Sequence, residues 1–340
     1  ETTGGFTRVS TTVELAGETP DGVAHVGRGE DVTYDAVDHD RLVAVLDDLP
    51  IRGTYTLRSL AAHLDALALF PEEPERAASR HYRRWAIESA ALDLALRQAE
   101  TSLGEALGRD YDPVRFVVSP NLTGGGDGPP TAEPVRALRA VHEDIGVKLD
   151  ASPDWDDDLV DALAETGAVE VVDLKGHYED ADVATVPDPE LYRRVREGFP
   201  AAVLEDPKLT PATQEALAGA EDRLSWDYPI TDVASVGDLP VEPEVLNCKP
   251  SRFGTLEALF EFIAFCEAEG IRLYGGGQFE LDVGRGQIQA LASLCYPDGP
   301  NDVAPAVYND SSFEGTPPGS PLSAPASEAG FGYDPASASD

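Results

Sequence analysis

The sequence predicts an α/β protein: a closed (β/α) barrel preceded by a small α+β domain and followed by an irregular tail. Three observations predict it. Hydrophobic residues make up 42% of the 340, enough for a core despite a formal net charge of −38. The first third carries a strand-like stretch followed by one long helical stretch. From residue 114 onward eight short apolar runs alternate with helical stretches, which favours a closed barrel over an open sheet. The expected domains are 1–112 (α+β), 113–310 (barrel carrying the active site) and 311–340 (tail packing back on the body).

Residues 6–34, "FTRVSTTVELAG" then "GVAHVGRGEDVTY", alternate with glycine breaks and predict an antiparallel meander. Residues 80–100, "RHYRRWAIESAALDLALRQAE", place Ile87, Ala90, Ala91, Leu94 and Ala95 at helical spacing. The eight runs are "VRFVVS", "IGVKLD", "AVEVVDLKG", "AAVLEDP", "LSWDYP", "VLNCKP", "RLYGGGQ" and "DVAPAVYN". Helical segments such as "EPVRALRAVHED" and "TLEALFEFIAFCEAEG" lie between them. In the Ser-, Pro- and Gly-rich tail, "GFGYD" is a candidate anchor.

Acidic side chains outnumber basic ones 63 to 25, and only four of the basic residues are lysines. This pattern predicts a solvated acidic surface adapted to high salt, which screens self-repulsion. Such a surface repels phosphates and anionic lipid, so neither nucleic acid nor membrane is an expected partner. Cys248, Cys266 and Cys295 form no C-x-x-C pair and are expected as buried thiols in a reducing cytoplasm. No stretch reads as a signal peptide or a membrane span.

Chemistry in a (β/α) barrel sits at the C-terminal ends of the strands. Those ends are charged here: Lys148, Asp173, Glu205, Asp227 and Lys249, each separated from the next by about one βα unit. Each acid alone could be a turn or helix-cap residue. Five charged groups in this order predict a shared mouth. Three converging carboxylates need a cation, and an all-oxygen set without His or Cys suits Mg²⁺ better than Zn²⁺. A lysine beside such a cation is expected to have its pKa lowered and to act as a base.

The stretches "RWAIESAALDLALRQAE", "GVKLDAS", "VVDLKG", "VLEDP", "SWDYPI", "NCKPSRFGTLEAL" and "YGGGQFELDVGRGQIQ" resemble the enolase superfamily, in its muconate-lactonizing-enzyme-like branch. The resemblance implies a capping domain over a (β/α)7β TIM-like barrel. It implies Mg²⁺ held by Asp173, Glu205 and Asp227, with Lys148 and Lys249 as acid/base groups on opposite faces of the substrate. It implies abstraction of a proton α to the carboxylate of a small-molecule substrate and stabilisation of an enediolate. Racemase or epimerase, cycloisomerase and β-elimination chemistries all stay open, and a homo-oligomer is expected. The alternative is a catalytically silent relative serving as a binding or scaffold protein.

The chain departs from the pattern in three places. Gly146 replaces the first lysine of K-x-K, Lys175 follows Asp173 where an Asn is common, and Tyr228 replaces a Glu after Asp227. Lys175, His177, Gln278 and Arg28 are candidate substrate-binding groups. For Lys175 the competing expectation is a pair with an acid such as Asp150. Glu280 is expected as a helix cap or rim group, and Lys208 as a rim residue. His25, His39, His63, His81 and His142 are expected to be structural.

Overall fold

The N-terminal part is a hairpin laid on a long helix. The computed structural model describes residues 7–45, 49–124, 128–177, 186–309, 315–325 and 328–332. Strands β1 (Thr11–Glu18) and β2 (Ala24–Asp31) pair antiparallel, so the meander is a single hairpin among the described residues. Helices α1 (Ala36–Val43), α2 (Leu57–Asp65), α3 (Ser79–Gln98) and α4 (Leu103–Leu107) follow. Glycine in β2 is a steric requirement. A Cβ on Gly27 would lie 2.2 Å from the Ala90 carbonyl oxygen, and one on Gly29 2.1 Å from that of Ala86. The hairpin can therefore sit directly on the α3 backbone, with Val13, Leu60, Leu64, Ile87 and Ala90 buried as one apolar cluster.

The barrel strands are β3 (Val117–Val118), β4 (Gly146–Asp150), β5 (Val169–Asp173), β6 (Val203–Glu205), β7 (Leu224–Ser225), β8 (Val245–Cys248) and β9 (Arg272–Gly275). Their helices are α5 (Glu133–Val141), α6 (Asp157–Ala164), α7 (Pro189–Gly198), α8 (Pro211–Ala216), α9 (Val233–Gly237), α10 (Pro250–Phe253), α11 (Leu256–Glu269) and α12 (Val283–Cys295). Strands β3 to β7 are hydrogen-bonded in order and β8 pairs with β9, all parallel. A bond from Asn247 N to Trp226 O joins the two groups. The eighth run is not a strand, because Pro305 cannot donate to a ladder. Its first residue, Asp302, and Asn301 just before it still close the ring, bridging Gly276 and Phe116 respectively. The architecture is thus a TIM-like barrel with an N-terminal capping domain.

Side chains alternate along a strand. Val171, Val203, Val245 and Tyr274 form a buried cluster on the interior face. Two residues further along β5, β6 and β8 stand Asp173, Glu205 and Asn247. A polar layer therefore sits on an apolar floor. On the outer side, Leu149, Val172, Leu204, Leu246 and Cys248 pack against the helices in the main core.

The cap is tied to the barrel by buried acid. Glu30, 1% exposed, accepts the backbone N–H groups of Leu281 (2.6 Å), Asp282 (3.0 Å) and Gly284 (2.9 Å) at the start of α12. Glu88 accepts from Leu256 N at 2.8 Å in the same way at α11. These carboxylates satisfy amide groups that a helix N-terminus leaves open. In the tail, Phe331 is buried edge-on to Trp85, and its N–H donates to Asp93 at 2.8 Å. Tyr333 and Asp334 of "GFGYD" lie outside the described residues. No helix among the described residues is long and apolar enough to cross a membrane.

Candidate active site

Strand register brings the predicted acids side by side. Asp150 is opposite Asp173, Asp173 is opposite Glu205, and Glu205 is opposite Ser225, two residues before Asp227. Asp173, Glu205 and Asp227 are buried, as are Lys148 and Lys249. Each acid faces a cation. Lys148 Nζ bonds Glu205 Oε1 and lies 3.9 Å from Asp173 Oδ2. Lys175 Nζ is 2.6 Å from Asp173 Oδ2 and 3.3 Å from Asp150 Oδ1. Lys249 Nζ is 2.6 Å from Asp227 Oδ2, and Arg252 Nε donates to Asp227 Oδ1 at 2.8 Å. Among the described residues, no three His, Cys, Asp or Glu side chains gather into a ready metal cage.

The electrostatics follow from this pairing. Burial alone would lower the pKa of Lys148, but Glu205 and then Asp173 outweigh it and hold the ammonium well above its usual range. The carboxylates that face Lys148 keep it protonated. Lys175 is likewise penalised by burial and raised well above its usual range by Asp150 and Asp173. Asp227 would be raised by burial, but Arg252 and Lys249 hold it below the usual carboxylate range. Asp206 is pushed well up, by burial first and then by Asp227, Asp173 and Glu205.

Several residues that the sequence reading did not single out complete the site. Asn247 Nδ2 donates to Glu205 Oε2 at 2.9 Å, and the Tyr274 hydroxyl donates to the same oxygen. Asn247 and Tyr274 are register partners on β8 and β9. Asp206 accepts the N–H groups of Asp227 (2.8 Å) and Tyr228 (3.1 Å), holding the segment after β7. Arg252 follows Lys249 by three residues on the single turn of α10, and that spacing is its one sequence signal.

The four candidate substrate-binding residues separate. Lys175 pairs with Asp150 and Asp173, in a left-handed backbone conformation with φ 51°. His177 Nε2 contacts the Pro207 carbonyl at 3.2 Å. Gln278 is 3% exposed, and its amide joins the Tyr34 hydroxyl (2.7 Å) to Arg252 (3.1 Å). It therefore links cap to site. Arg28 is exposed, pairs with Glu14 at 2.8 Å, and lines a cavity near the tail rather than the mouth. Glu280 caps no helix: it is buried and accepts from Gln278 N at 3.0 Å, while Glu30 takes the α12 amides. His39, His63, His81 and His142 are each bonded to a backbone carbonyl, as structural residues are.

Gly146 has a local cause. A Cβ there would lie 2.0 Å from Glu170 Oε1, and Glu170 is paired with Arg115 at 2.5 Å. The space that a first K-x-K lysine needs at its root is taken by an ion pair. At the mouth a cavity of about 930 Å³ opens beside Lys148, with Leu122, Trp155, Phe279, Arg285 and Asp302 among its walls.

Residues 110–310 match the family described as "Domain of unknown function (DUF8230) C-terminal domain", and residues 1–106 match the corresponding N-terminal domain. The chain belongs to the DUF8230 family. This DUF8230 chain is 23% identical over 241 residues to o-succinylbenzoate synthase of Bacillus subtilis (strain 168). That match takes in 69% of the DUF8230 chain and spans 62% of the length of the curated relative. In structure the DUF8230 chain is similar to an enolase-superfamily member from Listeria innocua Clip11262. The TM-score is 0.67 at 17% identity, covering 93% of this chain and 85% of that one. It is also similar to a dipeptide epimerase from Methylococcus capsulatus complexed with Mg and the dipeptide L-Arg-D-Lys. Here the TM-score is 0.64 at 21% identity, covering 90% of this chain and 86% of that one. The fold of the DUF8230 chain is that of the enolase superfamily.

Proposed function

We propose that this protein is a divalent-metal-dependent isomerase or lyase that moves a proton α to the carboxylate of a small-molecule substrate. The observation that carries the reading is the buried layer in which Lys148 and Lys249 flank Asp173, Glu205 and Asp227 at adjoining strand ends. The named relatives, a synthase and an epimerase, support a reaction of this general kind.

The residues fit a hard cation by their chemistry. All three acids offer only oxygen, and Asp173 and Glu205 stand opposite each other in register at adjoining strand ends. Burial first, and then their combined charge, pushes Asp206 up. Asp173, Glu205 and Asp227 would hold Mg²⁺, which when bound supplies Lewis-acid stabilisation of negative charge. Lys148 is held protonated by Glu205 and Asp173. With those carboxylates engaged by a cation, burial would act on Lys148 against Asp302 and would favour the neutral amine, the form able to accept a proton at Nζ. Lys249, pinned by Asp227, sits on the other side of the acids and holds or returns a proton there. Glu205 is kept in place by Asn247 and Tyr274, so the layer is preorganised.

The test is exchange of α-hydrogen in D₂O across a library of carboxylates, with wild type, Lys148→Ala and Lys249→Ala. Loss of exchange in either variant, with ligand binding kept, supports the assignment. Undiminished exchange in both variants overturns it.

A further inference from the structure

The seam between cap and barrel reaches the site through Gln278. This residue lies just beyond β9, is 3% exposed, and is gripped from both sides. Its N–H donates to Glu280 at 3.0 Å. Its carbonyl accepts from Arg8 Nη2 at 3.0 Å. The same guanidinium donates to the Thr33 carbonyl at 2.5 Å and lies 4.5 Å over the Tyr34 ring. Arg8 therefore clamps the Gln278 backbone to the cap segment that follows β2. The next residue, Phe279, has a left-handed backbone with φ 59°, which a bulky side chain adopts only where its surroundings enforce it.

The Gln278 side chain carries the contact onward. An amide has a donor end and an acceptor end, whereas a guanidinium has donors only. The amide oxygen therefore faces Arg252, 3.1 Å from Nε and 3.2 Å from Nη2, and the amide nitrogen donates to the Tyr34 hydroxyl oxygen at 2.7 Å. Nε and Nη2 are also nitrogens that hold Asp227, at 2.8 Å on Oδ1 and 3.3 Å on Oδ2. One pair of donors is thus shared between an amide anchored by the cap and a carboxylate of the site. A guanidinium that loses the amide oxygen closes on Asp227 and competes with an entering cation. His81 of α3 also reaches α10, but it bonds the Arg252 carbonyl and so holds backbone rather than guanidinium.

We propose that Tyr34 is a positioning residue that couples the seating of the cap to cation binding at Asp227. Its hydroxyl keeps the Gln278 amide turned toward Arg252, and the amide keeps the guanidinium from closing on the carboxylate. A seated cap then favours the cation, and a bound cation favours the seated cap by the same factor. This rests on the proposed function, which puts a divalent ion at Asp227.

Seating has its own reporters. The amides of Leu281, Asp282 and Gly284 donate to Glu30 of the cap and lose that acceptor when the cap lifts. Their hydrogen exchange is measured on the full chain in chelator and in saturating Mg²⁺, with Mg²⁺ affinity taken from calorimetry. Amides of β4 and β5 report global unfolding and serve as the reference. In the wild type the seam amides are expected to exchange faster than the reference and to slow about fivefold or more in Mg²⁺. Tyr34→Phe, which removes only the hydroxyl, is expected to abolish that slowing and to weaken Mg²⁺ binding by about the same factor. Gln278→Leu should repeat both effects from the barrel side, and it stands in if Tyr34→Phe does not fold. A hydroxyl that serves stability alone would lower the melting temperature and leave the metal dependence of the seam in place. Wild-type seam amides that exchange no faster than the reference, or that ignore bound Mg²⁺, overturn the proposal. So does a slowing that persists in the variants, or an unchanged Mg²⁺ affinity in them. If calorimetry finds no Mg²⁺ binding to the wild type, the proposed function falls and this inference with it.

Discussion

Lys175→Met separates the two cations that compete for Asp173. In the wild type, Lys175 Nζ lies 2.6 Å from Asp173 Oδ2, and the next cation, Lys148, is 3.9 Å away. Asp173 is fully buried. Removing one partner of a buried pair leaves a nearly uncompensated charge, which costs about 3–5 kcal/mol. The metal-free variant should lose about that much stability. A divalent ion entering the site must also displace the ammonium from Asp173. A hydrogen bond to a charged group is worth about 1.5–3 kcal/mol, so its absence should tighten Mg²⁺ binding roughly 10- to 150-fold. At metal concentrations 100 times Kd, binding returns about 2.7 kcal/mol, so most of the loss should be rescued. The assay is guanidinium unfolding followed by tryptophan fluorescence, in chelator and in Mg²⁺, with calorimetry for the affinity. Concentrated KCl throughout would screen the net charge of −38. A variant as stable as wild type in chelator, with equal or weaker Mg²⁺ binding, would refute the claim that Asp173 belongs to a cation site.

Three further outcomes follow from the packing and charge. Glu30→Ala strips the acceptor from three amides at the start of α12 and should destabilise the protein by about 3 kcal/mol or more, read from the denaturant midpoint. Gly146→Lys should displace the Glu170 carboxylate, the movable end of a side chain paired with Arg115, at a cost of about 1 kcal/mol or less, and adding Glu170→Ala should remove that cost in the same unfolding assay. Asp206 has a raised pKa in the folded state, so its protonated form is favoured below the unfolded value of about 3.9 and that contribution is lost as pH rises through the folded value. Asp206→Asn in metal-free protein should therefore be at least as stable as wild type at pH 8, with the advantage gone below about pH 4; a stability deficit at pH 8 would contradict this.

What the sequence reveals about this protein depends on whether the cause is local. The strand ends are legible because an apolar run that stops on a charge marks both a buried strand and the residue at its exit. Asp173 and Glu205 are the last residues of β5 and β6 for that reason. The eighth run reads as a strand by apolarity, but only Asn301 and Asp302 bridge before Pro305 ends any ladder. The cap-to-barrel ties are invisible in sequence. Glu30 meets amides about 250 positions away, and no spacing rule reaches that far. Gln278 looks like a ligand contact beside three glycines, yet its partners are Tyr34 and Arg252, brought there by the folding of the cap onto the barrel. Lys175 could be read either way from sequence. Its two acids, Asp150 and Asp173, are opposite each other in register, and that geometry decides its pairing.

The central claim is that the buried carboxylates and lysines move a substrate proton with the help of a divalent ion. The most direct measurement is α-hydrogen exchange by the wild type in D₂O, compared in Mg²⁺ and in excess chelator, over carboxylates that calorimetry shows to bind. The account predicts exchange with Mg²⁺ that falls by a factor of about 100 or more on chelation and returns when the metal is restored. Bound carboxylates that show no exchange in Mg²⁺, or exchange that is indifferent to chelation, would contradict it.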